Sequence, residues 1–318
     1  MRIEWMVAAA TLSSAAAAML PACSTPQPAS PSSPSGAEAS DGKRLYEQRC
    51  ATCHGIHGDG RGPTAHVYGS PAPRDFTRGL YEFRTTDAGK LPVRADLVRT
   101  IGQGIPGTTM PAWRSLLSPR EIEAIAQYIE SFSPRFAAEP ESARAPIAIP
   151  PEPPPPSATD LEVGRMFYFT FRCWECHGVY GEGDGPAAAT LADEWKRPIR
   201  PADLTRGVYK SGATGADLYR TIATGLDGTP MPTFRLAVVV GKEGLADLGK
   251  HIDKLDPAIR AKVTAFVQTL PTDEQIFALS DPDRAKFGER RLWLLTGYVK
   301  SLAHRGVFDW LSHDPSAP

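Results

Sequence analysis

No sign of charge dominates this chain: its 318 residues hold 35 Lys+Arg against 36 Asp+Glu. Nucleic acid would ask for a strong basic surplus, so a partner of that kind is not expected. Cysteine is nearly missing, with only Cys23, Cys50, Cys53, Cys173 and Cys176 in the whole chain. Four of these form two Cys-x-x-Cys pairs, each followed directly by His. If those pairs hold another group, no thiol remains for a disulfide framework. Methionine is scarce too: Met1, Met6 and Met19 sit at the start, leaving Met110, Met166 and Met231. Strand signals are almost absent, since residues 237–240 are the one β-branched run and it is short. Proline, with 31 residues, is the abundant type, and it collects in two places.

The first of these is near the beginning. Residues 1–20 are apolar and Ala-rich, with Arg2 and Glu4 near the start. That stretch is too short and too rich in small residues for a good transmembrane span. It ends in Leu20-Pro21-Ala22-Cys23, which resembles a bacterial lipobox. The resemblance implies that Cys23 becomes a lipidated first residue; the other reading is a cysteine inside a cleaved signal peptide. Residues 24–40 are rich in Pro, Ser and Ala and read as a flexible tether. The expectation is a periplasmic protein anchored to a membrane through lipidated Cys23, with residues 1–23 as signal peptide and lipobox.

The chain repeats itself. Cys50-Ala51-Thr52-Cys53-His54-Gly55 answers to Cys173-Trp174-Glu175-Cys176-His177-Gly178. Gly58-Asp59-Gly60-Arg61-Gly62-Pro63 answers to Gly181-Glu182-Gly183-Asp184-Gly185-Pro186, and Asp75-Phe76-Thr77-Arg78-Gly79 to Asp203-Leu204-Thr205-Arg206-Gly207. Gly107-Thr108-Thr109-Met110-Pro111 matches Gly228-Thr229-Pro230-Met231-Pro232, and Tyr128 matches Tyr298. Blocks in one order twice over define two modules, residues 41–133 and 159–304, followed by a tail at 305–318. Between them, residues 134–158 hold the second proline cluster, with an unbroken run at 153–156, which favours extended polyproline and a semi-rigid spacer.

The modules read as helical. Residues 41–49 and 161–171 lead into the Cys pairs. Ser118-Pro119-Arg120-Glu121 is a capping box with Pro at the first helical position. Ile122, Ile125, Ala126, Ile129 and Phe132 follow at helical spacing, and residues 290–303 are the counterpart. Met110 to Tyr128 spans 18 positions but Met231 to Tyr298 spans 67. The second module therefore carries roughly fifty extra residues, about 237–288, and part of them reads as a helix with Asp256 as N-cap and Pro257 after it.

Cys-x-x-Cys-His reads as covalent attachment of haem c, one per module. Two thiols three positions apart share one side of a helical turn and reach the two vinyl groups of one porphyrin, and the adjacent His lies under the iron. A thioredoxin-like pair would need a β-α-β pattern that is missing, and zinc would need a fourth ligand. Cys50, Cys53, His54 and Cys173, Cys176, His177 are thus the expected haem-binding residues, with His54 and His177 as iron ligands. Met110 and Met231 lie 56 and 54 positions after their histidines in matching settings, and are the candidate sixth ligands. The alternative for each is a core methionine, and His66 is a rival in the first module. A carbonyl at Pro63 or Pro186 either accepts the imidazole N–H or merely closes a turn. Arg78 and Arg206 either reach haem propionates or stay solvated, and Trp113 and Phe234 pack beside the haem or fill the core.

Each module resembles the class I cytochrome c domain on these residues: a first helix, Cys-x-x-Cys-His-Gly, a glycine-rich loop, a Met-Pro loop and a last helix bearing Tyr128 or Tyr298. The resemblance implies an all-α fold of two tandem class I cytochrome c-like domains with a helical insertion in the second, whose first and last helices cross. It implies one-electron transfer and no catalytic residues. Expected partners are redox proteins of a respiratory chain: a quinol-oxidising complex, an oxidase or a periplasmic dehydrogenase. Two alternatives remain open, a dihaem peroxidase-type enzyme with one open iron, and a fixed haem subunit of a larger complex. The extra segment is either a docking surface or packing over the second module.

Overall fold

The computed structural model describes residues 36–68 and 71–303. The expected signal peptide, the lipidation candidate Cys23, most of the tether and the tail lie outside these residues. The first module holds α1 (Gly36–Arg49), α2 (Ala51–His54), α3 (Arg94–Gln103) and α4 (Pro119–Glu130), and α5 (Pro134–Ala138) opens the stretch between the modules. The second holds α6 (Ala158–Thr170), α7 (Trp174–His177), α8 (Gly215–Thr224), α9 (Gly249–Ile252), α10 (Pro257–Thr269), α11 (Asp273–Phe277) and α12 (Asp281–Leu302). Helix α1 starts inside the stretch expected to be tether. No strand occurs among the described residues, only the isolated bridges Thr86 to Pro146 and Ala192 to Pro198. No described helix is long and apolar enough to cross a membrane.

Helix ends form where their caps predict. Ser118 Oγ accepts from the Glu121 N–H while Glu121 Oε2 accepts from the Ser118 N–H, closing the capping box at the start of α4. Asp256 accepts from the Ala258 N–H ahead of Pro257, which starts α10. Thr214 and Asp217 do the same for α8.

Each module is built around one helix crossing, α1 on α4 and α6 on α12. The crossing is close because glycine stands at the contact. A Cβ on Gly42 would lie 2.2 Å from the Ala124 carbonyl oxygen, and one on Gly164 would lie 2.2 Å from that of Leu294. One helical turn further on, the same faces pair aromatic rings edge to face. Tyr46 lies 5.4 Å from Tyr128 and Tyr168 lies 5.4 Å from Tyr298. The obstacle at Gly164 is backbone, which cannot rotate away. Gly164→Val should therefore cost at least about 1–3 kcal/mol, the usual penalty of overpacking, and thermal melts of the wild-type and variant proteins check it.

The run at 237–240 is a turn, not a strand. Val238 is fully buried, and Arg291 of α12 donates through Nη1 to the carbonyls of Val238 and Val240 at 2.8 and 2.6 Å. An arginine thus satisfies backbone acceptors that a neighbouring strand would otherwise take. Residues 237–288 pack over the core of the second module: Leu248, Ile252, Leu255, Val263 and Val267 are buried in it, and Phe266 meets Phe167 edge to face at 5.2 Å.

Residues 134–158 do more than separate the modules. Phe136 is buried in the first core and Ile147 in the second. Between them Arg144 is buried and donates to the Pro92 carbonyl at 2.7 Å. Both modules belong to one compact unit, joined directly by Arg84. Its side chain is wholly buried and donates to the carbonyls of Tyr81 and Asp87 in its own module. Across the boundary it donates to the Thr224 carbonyl at 3.0 Å and pairs with Asp227 at 2.8 Å. Asp227 also accepts from the Gly89 N–H, and Arg235 pairs with Asp87 close by.

Candidate haem sites

The two Cys-x-x-Cys-His turns are near copies in space. In each, the His N–H donates to the carbonyl of the first Cys, His54 to Cys50 and His177 to Cys173, both at 2.9 Å. Tyr46 and Tyr168 donate from their hydroxyls to the carbonyls of Gly55 and Gly178, the residues after each His, at 2.8 and 2.6 Å. Burial pushes both phenols well above the usual tyrosine range. These tyrosines were not singled out from sequence, although each stands four positions after the crossing glycine. Tyr168→Phe leaves the Gly178 carbonyl short of a donor beside His177. Each carbonyl keeps a second donor, the Gly58 N–H on Gly55 and the Gly181 N–H on Gly178, so Tyr168→Phe and Tyr46→Phe should each cost about 0.5–1.5 kcal/mol in a thermal melt, the net worth of one hydrogen bond.

The approach to the turn differs by one residue. Cys50 N–H bonds back to Tyr46, four positions earlier, whereas Cys173 N–H bonds back to Tyr168, five positions earlier. Arg172 absorbs the extra residue by taking a left-handed conformation (φ 62°), after which Cys173 to His177 repeats the first module's path. That conformation is uncommon outside glycine, and the Arg172 side chain is tied down by two bonds to Glu175. Glu175, between the two cysteines, also lies 3.2 Å from His251 of the extra segment, so that segment reaches the attachment turn itself.

The imidazoles are held by carbonyls further along the chain than expected. Nδ1 of His54 lies 3.2 Å from the carbonyl of Arg74, and Nδ1 of His177 lies 2.9 Å from that of Ala202. Pro63 and Pro186 are not the acceptors; the chain after them swings on past the His before returning at the Asp75 and Asp203 blocks. A donating Nδ1–H leaves Nε2 as the nitrogen free for a metal. Burial holds both imidazoles below the usual histidine range, which keeps them neutral as a ligand must be.

The Met loops also repeat. Ile105 and Leu226 donate from N–H to the carbonyls of Met110 and Met231, both at 3.1 Å. Thr108 and Thr229 hydroxyls accept from the two Met N–H groups at 3.2 Å. Gly104 and Gly225 sit at positive φ with the backbone of Pro111 and Pro232 against them, leaving no room for a Cβ. Both methionines are half-buried, and Met231 and Phe234 border the second core. Trp113 borders the first. His66, Arg78 and Arg206 are exposed.

The four thiols are free of disulfides, and burial pushes Cys50 and Cys173 up to about 12. Among the described residues no cluster of three or more His, Cys, Asp or Glu side chains is arranged for a metal ion. Two thiols and one buried imidazole on a single turn, twice, suit a porphyrin bound through its vinyl groups and iron. The donor set fits haem c.

The features define a c-type cytochrome, and comparison with known proteins agrees. A family model for "Cytochrome C oxidase, cbb3-type, subunit III" matches residues 37–129, and one for "Cytochrome c" matches residues 161–271. The cbb3-type cytochrome c oxidase subunit FixP of Bradyrhizobium diazoefficiens is 31% identical over 96 residues, 30% of this chain and 28% of that protein. Subunit CcoP of Azospirillum brasilense is 34% identical over 95 residues, again 30% and 28%. The chain thus matches little more than a quarter of the length of these curated relatives. A chain from the reducing HAO-like protein complex of Kuenenia stuttgartiensis is 32% identical with a TM-score of 0.63, covering 83% of this chain and 96% of that one. The protein belongs to the cytochrome c family as a dihaem member: two tandem domains, two covalently bound c-type haems, and electron transfer as its function.

Proposed function

We propose that this cytochrome is a fixed electron-transfer subunit that relays single electrons to or from a larger redox protein in the periplasm. The observation that carries this is the likeness, over 83% of this chain, to a component of an HAO-like protein complex, where the oxidase-subunit family model matches residues 37–129 alone. An HAO-like multi-subunit partner is therefore favoured, and a cbb3-type oxidase is the second reading, resting on the first domain alone. The iron of each haem supplies one-electron chemistry. Cys50 with Cys53, and Cys173 with Cys176, hold the two porphyrins by thioether bonds. His54 and His177 would ligate the irons through Nε2, with their tautomers fixed by the carbonyls of Arg74 and Ala202. Met110 and Met231 would be the remaining iron ligands and would keep small molecules off both irons, which favours an electron carrier over peroxidase-type turnover. Cys23 is the lipid attachment that keeps the protein at a membrane surface.

The test is optical. Fully loaded protein should show the Met–Fe(III) charge-transfer band for both haems, and the reduced form should not bind carbon monoxide. Carbon monoxide uptake by one haem would overturn the closed-iron assignment at Met110 or Met231. The partner is tested by isolating the protein from its native cells under mild conditions. Stable co-elution with a multihaem protein is expected, and elution as a lone chain would overturn the fixed-subunit reading.

A further inference from the structure

The loop after the glycine-rich turn is longer in the second module. Pro63 to Asp75 spans 12 positions, while Pro186 to Asp203 spans 17. The additional residues make a tongue closed by the bridge of Ala192 to Pro198 and by Asp193. Asp193 accepts from the N–H groups of Trp195 and Arg197 and pairs with the Arg197 guanidinium at 2.7 Å. Lys196 at its tip takes positive φ (63°), so the turn is tight.

At one side the tongue is fastened to its own Met loop, since the Glu194 N–H donates to the Gly228 carbonyl at 3.0 Å, three residues before Met231. At the other side it reaches the first module. Trp195 Nε1 donates to Asp75 Oδ2 at 3.3 Å, and the Arg74 guanidinium lies 5.1 Å from the indole centroid. Arg74 is the residue whose carbonyl holds His54. Arg74 Nη1 and the Trp195 ring also flank Gly228 itself, 3.3 and 3.5 Å from where its Cβ would be. That Nη1 is buried without a hydrogen-bond partner, while Nη2 pairs with Glu82. Three residues therefore meet at one point: the support of His54, an indole, and the loop that presents Met231.

From this juxtaposition we propose that Trp195 is a positioning residue for electron exchange between the two haem sites, bridging the His54 side of the first module and the Met231 loop of the second. In the exchange, one iron is oxidised from Fe(II) to Fe(III) and the other reduced from Fe(III) to Fe(II) by the same electron. No bond breaks and no proton moves. The assignment rests on His54 and Met231 as ligands, and the experiment separates the two claims.

Full-length holoprotein, its Trp195→Ala variant and its Trp195→Phe variant are reduced by one electron per chain with a radiolysis pulse, and redistribution between the haems is followed optically. Haem content, carbon monoxide binding, both midpoint potentials and the small-angle scattering profile are measured alongside. Two haems that stay closed to carbon monoxide keep the ligand assignment; a missing or open haem in the wild-type protein removes it, and the inference with it. With ligands intact, Trp195→Ala should slow redistribution while potentials and profile hold, and Trp195→Phe should fall between it and wild type. Unchanged redistribution in Trp195→Ala overturns the proposal. If alanine expands the scattering profile, phenylalanine decides: redistribution near the wild-type rate supports the ring as the bridge, and redistribution as slow as in the alanine variant overturns it.

Discussion

A chain with both Cys173 and Cys176 replaced by alanine should carry one covalent haem where the wild type carries two, and its second module should lose much of its stability. The argument starts from the turn. Helix α7 is four residues long, far below the length at which a helix sustains itself, so its shape depends on what it grips. A group tethered by two bonds is present at high effective concentration and binds only the folded module. Binding that favours the folded state at a thousand times the dissociation constant adds about 4 kcal/mol, and losing the tether forfeits much of that. The haem-to-protein ratio from an alkaline pyridine spectrum should fall by half, and intact mass should drop by one haem. Cys50→Ala with Cys53→Ala should give the complementary single-haem chain. A mass lower only by the two sulfur atoms in either variant would mean that the thiols hold nothing. Metal or disulfide readings of the same cysteines predict no change in haem content at all.

Legibility followed the range of each interaction. Helix ends at Ser118 and Asp256 were readable because a cap acts within three residues of itself. The crossing of first and last helices was legible only through the family resemblance, although Gly42 and Gly164 mark the contact once it is known. At Pro63 and Pro186 the residues allow either an acceptor for the imidazole or a plain turn, and the acceptors of His54 and His177 lie 20 and 25 positions away at Arg74 and Ala202. Nothing local marks a backbone carbonyl as an acceptor, since every residue has one. The proline-dense stretch read as a spacer from composition, but composition says nothing of Ile147, which seats in the second core with Ile149 packed against it. Trp195 and Arg84 were silent for the same reason: their partners are 120 and 143 residues away.

The Arg84 pair gives the largest effect expected outside the haem turns. Asp227→Ala should cost about 3–5 kcal/mol, because it leaves a wholly buried guanidinium without its counter-charge. Burial pushes the Arg84 guanidinium down and Asp227 pulls it back, but an arginine does not shed its proton, so the charge has no escape. Replacing both partners removes the problem along with the pair. Arg84→Met combined with Asp227→Leu should recover most of the stability, because two apolar side chains cost less than one unpaired charge. Recovery should be incomplete, since the Tyr81, Asp87 and Thr224 carbonyls lose the donor they share. The damage should also be directional. Asp227 sits at the module boundary, so Asp227→Ala should split one cooperative unfolding transition into two, with each haem reporting its own module. Denaturant melts followed at both haem bands check this. A single transition at wild-type stability would show that the modules stay together without the clasp, and would leave the chain after α5, with Arg144 and Ile147, as what joins them.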